Sequence, residues 1–152
     1  MKRININSSK AGFTIIEMII VLAIATVILL VVVPSGAKAM DNSRLANAIS
    51  SIKAIQTAGV GWANDNGGVY TGITFAKLAQ GYLPAQFSAT ATNPWAGNYT
   101  VAVNASDATM FDISLTSVPS AAASKLTNVM TKLSEAAPGY VGSTQTWTTT
   151  MH

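Results

Sequence analysis

The sequence holds no cysteine, and that absence removes disulfides, thiolate metal sites and cysteine nucleophiles from consideration. Histidine is almost as scarce. Its one copy, His152, reads as a solvated side chain. No Ser/His/Asp arrangement, metal-ligand cluster or phosphate loop can be built around it. Charge is sparse too: Asp, Glu, Lys and Arg make up 10% of the chain, against about 25% in ordinary soluble domains. Asp107 and Asp112 are too isolated to form a carboxylate pair or a calcium site, and Asp107 reads as a residue that solvates a turn. These absences exclude most enzyme classes, so no catalytic set, cofactor or metal is expected.

What the sequence has instead is apolar residues, 49% of 152. Much of that excess sits in one block, Phe13–Val33, reading FTIIEMIIVLAIATVILLVVV, 21 residues with a single charge. The remainder is rich in Ala, Thr, Ser and Gly. The formal charge of +3 is also unevenly placed, because Lys2, Arg3 and Lys10 all precede the block. Without the first 12 residues, six basic and six acidic side chains remain, a balance of zero. The later basic residues Lys38, Arg44, Lys53, Lys77, Lys125 and Lys132 are scattered, so no nucleic-acid partner is expected.

The apolar block supports three readings. A run of about 20 apolar residues can span a bilayer as a helix, which makes it a plain anchor. MKRININSSK could serve as the n-region of a secretory signal, with Ala37-Lys38-Ala39 as the cleavage site before Met40. That would release a soluble binding protein cut after Ala39. Against it, an h-region usually runs to about 7–15 residues, and this block is longer and contains Glu17. The third reading starts from that glutamate, since an ionisable group inside such a run is costly and usually has a partner or a function. A cut between Gly12 and Phe13 would create an α-amino group four residues before Glu17. The two charges could pair within a chain or between neighbours, strongly in a low dielectric although desolvation offsets part of the gain.

The string Lys10-Ala11-Gly12-Phe13-Thr14-Ile15-Ile16-Glu17 with its unbroken apolar sequel resembles the class III leader of type IV prepilins. The resemblance implies cleavage between Gly12 and Phe13 by a prepilin peptidase, N-methylation of Phe13, and Glu17 as the assembly carboxylate. It implies a single-pass inner-membrane precursor with its domain outside, handled by the inner-membrane assembly machinery. That precursor would polymerise with copies of itself into an extracellular helical filament. Pro34, 22 residues into the mature chain, falls where many pilins carry proline. The charge count alone does not orient the span, with three basic residues before it and three within about 20 residues after it.

Beyond the block, Pro34 removes a backbone donor and Gly36 weakens the helix, so the helix either ends or kinks here. Helical spacing resumes in Leu45, Ala48, Ile49, Ile52, Ile55, Gly59 and Trp62. A kinked helix from Phe13 to about Trp62 would be roughly 75 Å long. Asn64–Gly68 reads as a loop, and Thr74–Leu78 as the start of a short helix stopped near Gly81 and Pro84. Tyr99–Val103 and Phe111–Leu115 alternate as half-buried strands joined through Ala105–Thr109. Pro119 suits the first turn of a helix whose stripe is Ala122, Leu126, Val129, Met130 and Leu133, broken by Pro138-Gly139. Thr144–Thr150 reads as a last strand, and Trp62, Trp95 and Trp147 as core or subunit-contact residues. Asn98-Tyr99-Thr100 and Asn104-Ala105-Ser106 match the glycosylation pattern, a short motif of little weight.

The expected class is α+β: a long kinked N-terminal helix packed on a small antiparallel β-sheet with an additional helix, the pilin fold. The expected division is a leader at 1–12, a membrane or filament-core helix at 13–34, and a globular domain at 35–152. Asn93–Tyr99, Met110–Leu115 and Val118–Leu126 are similar to the type IVb and PilS-like pilins of enteric and conjugative pili. Those pilins commonly close a C-terminal loop with a disulfide, and here Ala122 and Ala123 stand near where its first cysteine would fall. Gly81-Tyr82-Leu83-Pro84 and Asn93-Pro94-Trp95 also resemble the major pseudopilin of type II secretion, although an acidic calcium-loop cluster is missing. The roles these resemblances imply are adhesion, aggregation, motility or conjugation for a pilus, and a short periplasmic piston for a pseudopilin.

Overall fold

Pro34 and Gly36 do not end the first helix. In a computed structural model, which describes residues 14–152 and only the backbone of 29–37, helix α1 runs Ile15–Asp65. The proline still forfeits one hydrogen bond, but helical turns continue on both sides of it. The chain divides into two units, Met1–Ala39 and Met40–His152. Among the described residues no helix is long and apolar enough to cross a membrane. The apolar run read from the sequence extends through residues 29–33, whose side chains lie outside that description.

In the Met40–His152 unit the elements are the second half of α1, α2 (Phe75–Gly81), β1 (Tyr99–Val103), β2 (Phe111–Leu115), α3 (Ser120–Met130), β3 (Gly139–Val141) and β4 (Thr146–Met151). The architecture is α+β, as the sequence pattern indicates. The strands form one antiparallel sheet in the order β1-β2-β4-β3. Register follows the period-2 pattern: Val101 faces Ile113 in β2, and Ile113 faces Thr149 in β4. One sheet face therefore buries Tyr99, Val101, Phe111, Ile113, Leu115, Trp147 and Met151. The expected α1 stripe meets this core, with Ala48, Ile52 and Ile55 fully buried and Leu45, Ile49 and Trp62 packed at its margin. Gly59 marks the close approach, since a Cβ there would lie 2.6 Å from the Phe111 ring.

The opposite sheet face carries the hydroxyl side chains that give the chain its Thr-rich composition. Ser114 and Thr148 bond to each other across the strands at 2.9 Å, and Thr150 donates to Asp112 at 2.7 Å. Thr74 caps α2 by accepting from the Lys77 N–H, so the expected start at Thr74 is one residue early. Tyr82 donates to Asp65 at 2.7 Å and ties α2 to the end of α1; that bond holds the Tyr82 phenol above its ordinary range.

Two expectations need correction. The helical stripe of α3 is Ala123, Leu126 and Met130, not the longer set ending at Leu133. Val129 is 41% exposed and Leu133 43% exposed, because the helix ends at Met130 and no second layer covers its far side. The Pro138-Gly139 break opens into β3, which begins at Gly139 itself and is a strand the sequence pattern does not show. Its three residues pair with Thr146–Thr148 of β4.

The C-terminal region is held without any disulfide. Tyr140 donates to the Val118 carbonyl at 3.0 Å, and Trp147 Nε1 donates to Thr127 Oγ1 at 3.1 Å. The Val118 N–H donates to the Gln145 carbonyl at 2.9 Å. Each such bond contributes a net of about 1 kcal/mol, and Trp147, fully buried, adds a large apolar surface.

Candidate assembly site at the start of the helix

Thr14 is the residue on which α1 begins. Its carbonyl accepts the first helical bond, from Met18 N–H at 3.2 Å. Its hydroxyl oxygen accepts from the Glu17 N–H at 3.3 Å. In return Glu17 Oε2 accepts from the Thr14 N–H at 3.0 Å and from the Thr14 hydroxyl at 3.1 Å. This reciprocal pair is a capping box, which satisfies two of the donors that a helix start leaves unpaired. It also sets the carboxylate at the positive end of the helix dipole, where negative charge is favourable. The signal was present in the sequence as Thr14-Ile15-Ile16-Glu17, a Thr followed three residues later by Glu ahead of an apolar run. Reading the carboxylate only as a partner for an amine misses it.

The capping box engages one carboxylate oxygen. Among the described residues nothing donates to Glu17 Oε1, and no basic side chain lies within salt-bridge distance of Glu17. Gly12 and Phe13, the residues of the expected cut, lie outside the described residues. Pro34 and Gly36 lie inside α1, with helical turns on both sides of them.

Around Glu17 the helix offers one kind of surface. Every large apolar side chain from Ile15 to Ile28 is at least 53% exposed. Helical spacing distributes these positions round the whole circumference, so no polar face remains. Thr26 is also satisfied within the helix, donating to the Leu22 carbonyl at 2.8 Å. An apolar surface this extensive marks contact with other protein or with lipid. Internal satisfaction of its polar groups suits the same surroundings.

The remaining sequence candidates are structural. His152 Nδ1 lies 2.5 Å from Glu135 Oε1 at the surface, so it is paired rather than simply solvated. Asp107 closes the β1–β2 turn as expected, accepting from the Thr109 N–H and hydroxyl; those bonds, the hydroxyl's first, lower its pKa. Asn104 spends its side chain on Asp112 and on the Ser106 and Asp107 amides. A groove of about 150 Å³ lies between α1 and the start of α3, lined by Asp41, Leu45, Trp95, Pro119, Ala121, Ala122 and Lys125. Among the described residues no three of His, Asp and Glu converge as metal ligands would.

The Asn93–Gly97 segment is a hydrogen-bonded loop. Asn93 is buried; its Oδ1 accepts from Trp95 and Gly97 N–H groups, and its Nδ2 donates to the Thr116 carbonyl at 2.7 Å. Ala96 takes a positive φ of 61°, and a Cβ on Gly97 would sit 2.0 Å from the Thr116 carbonyl oxygen. The local sequence is thus required by the turn itself.

A family model described as the prokaryotic N-terminal methylation motif matches residues 7–33. The match spans the expected cut, Glu17 and the exposed apolar helix. It gives the chain the leader of a type IV pilin-like or pseudopilin-like precursor. Such a leader implies processing by a prepilin peptidase and an inner-membrane precursor. No curated protein matches the sequence.

Proposed function

We propose that this chain is the precursor of a structural subunit that polymerises through its N-terminal apolar helix into a type IV pilus. The observation that carries the reading is the coincidence, within residues 7–33, of the leader motif with a helix exposed on all sides. Peptidase cleavage after Gly12 would leave Phe13, N-methylated, as the new terminus. Its amine would lie one residue before the capping box. Glu17 Oε1, to which nothing donates among the described residues, is the natural acceptor for that amine in its own chain or a neighbour's. The apolar helices exchange lipid for one another and bundle at the filament centre, while the Met40–His152 units form the outer surface. Pro34 and Gly36 supply a weak point at which the helix adjusts during packing. Type IVb membership is part of this proposal and rests on the Asn93–Tyr99 resemblance. The absence of an acidic cluster late in the sequence supports a pilus over a type II secretion pseudopilin.

Two measurements test it. Mass spectrometry of the mature chain should find a start at methylated Phe13; a start at Met40 would identify a soluble exported protein instead. Glu17→Ala should leave cleavage intact and abolish filaments seen by electron microscopy, and normal filaments from that variant would sink the pairing.

A further inference from the structure

The four strands are not stacked in chain order. β4 is the latest of them in the sequence, yet it lies inside the sheet, between β2 and β3. β3 pairs with β4 alone. β2 has β1 on one side and β4 on the other, through five paired positions from Phe111↔Met151 to Leu115↔Trp147. The inward side chains of β4 are Trp147, Thr149 and Met151, each no more than 1% exposed. The same strand fastens the helical layer: Trp147 Nε1 bonds to Thr127 of α3, and the Thr150 carbonyl accepts from the Glu135 N–H in the segment that follows α3.

Residues up to Gln145 therefore specify a sheet that cannot close. Without β4, β3 has no neighbour, β2 becomes an edge, and the core loses its largest buried side chain. What remains of the sheet is the β1–β2 hairpin, and an isolated hairpin is marginal in water. The contacts that complete the sheet are also distant in the chain, so their loop-closure cost comes before their gain.

We infer that β4 is a closing strand: the Met40–His152 unit acquires its fold in one step that requires Thr146–Met151, and no stable sub-body precedes it. A chain delivered from its N-terminal end, from a ribosome or through a membrane channel, stays unfolded beyond α1 until these residues arrive. The inference does not depend on the pilus reading, since it uses only sheet order and burial.

The test uses the full chain, refolded from denaturant into detergent micelles and sampled by pulsed hydrogen exchange with mass spectrometry. Amides of β2 and α3 should gain protection in the same kinetic phase as those of β4. Stable protection of β1, β2 and α3 in an earlier phase overturns the inference. Proline substitutions in the full chain provide a second measurement, because proline breaks a central strand and is tolerated better at an edge. Thr149→Pro in β4 should abolish protease resistance throughout Met40–His152, including β1 and α2. Thr100→Pro in edge strand β1 should leave β2, β4 and β3 protected. A resistant β1–β2–α3 fragment from the first variant, or equally complete loss from the second, overturns the closing role of β4.

Discussion

Between Ile15 and Ile28 the large apolar side chains are exposed, while in the Met40–His152 unit Ile52, Ile55, Phe111, Ile113 and Trp147 are all fully buried. The two regions draw on the same residue types. They differ in whether the chain itself supplies the covering surface. Along α1 the second half carries an apolar stripe that meets a sheet, whereas from Ile15 to Ile28 the large apolar side chains point to every side and lie exposed. The difference is the physical basis for assigning folding to one region and association to the other. Substitutions in the second region should be read out in stability, and substitutions in the first should leave the stability of the folded unit untouched.

Gly97→Ala is the sharpest way to test the folding side of this contrast. The new Cβ would meet the Thr116 carbonyl oxygen at 2.0 Å, and that oxygen belongs to backbone held by Asn93. Neither side can yield without breaking the Asn93 loop, so the loss should exceed about 4 kcal/mol, the range reserved for named backbone and core defects. Chemical denaturation of the full chain in detergent checks it. By contrast Ala23→Leu, in the exposed apolar helix, should leave the midpoint unchanged; a shift as large as that of Gly97→Ala would break the comparison.

How much of this could be read from the sequence varies with the range of the interactions involved. The α1 stripe, the β1 and β2 strands and the α3 start were legible because each is a local periodicity. β3 was not, since Gly139-Tyr140-Val141 has no pattern of its own and is a strand only because Thr146–Thr148 lies beside it. Spacing alone puts Val129 and Leu133 on the core stripe, because it does not show where the covering layer stops. At the assembly site Glu17 was legible as an anomaly in an apolar run. Its tie to Thr14 is announced by the Thr14-Ile15-Ile16-Glu17 spacing but lies outside a reading based on charge alone. The Asn93–Gly97 loop shows in the sequence only as a likeness to type IVb pilins; its cause is a buried amide and a forbidden Cβ, which only the folded chain brings together.

A smaller effect runs the other way. Thr149 is 1% exposed in β4, and among the described residues its Oγ1 has no hydrogen-bond partner. A buried unsatisfied hydroxyl costs free energy that an apolar group of the same shape does not. Thr149→Val should therefore stabilise the unit by about 1 kcal/mol, visible as a higher denaturation midpoint with an unchanged slope. A loss of stability would mean that the hydroxyl has a partner, such as a buried water.

The smallest expected effect is one of pH, and it lies in the turn between β1 and β2. The Thr109 hydroxyl, at 2.7 Å, and then the Thr109 N–H, at 2.8 Å, both donate to Asp107 Oδ1 and hold its pKa below the ordinary 3.8. A carboxyl lowered in the folded state contributes its stability fully above the unfolded value and loses it as pH falls through the folded one. The window therefore opens below about pH 3.8, and at neutral pH the contribution is complete. Thr109→Val removes the stronger bond and keeps the backbone one. An NMR titration should then find the Asp107 midpoint moved up toward its ordinary value, with little change in the fold. An unmoved midpoint would show that the backbone amide alone sets it. The turn would then owe its acid sensitivity to main-chain geometry, and the apolar contrast between the two regions would be left without any polar modulation at this end of the sheet.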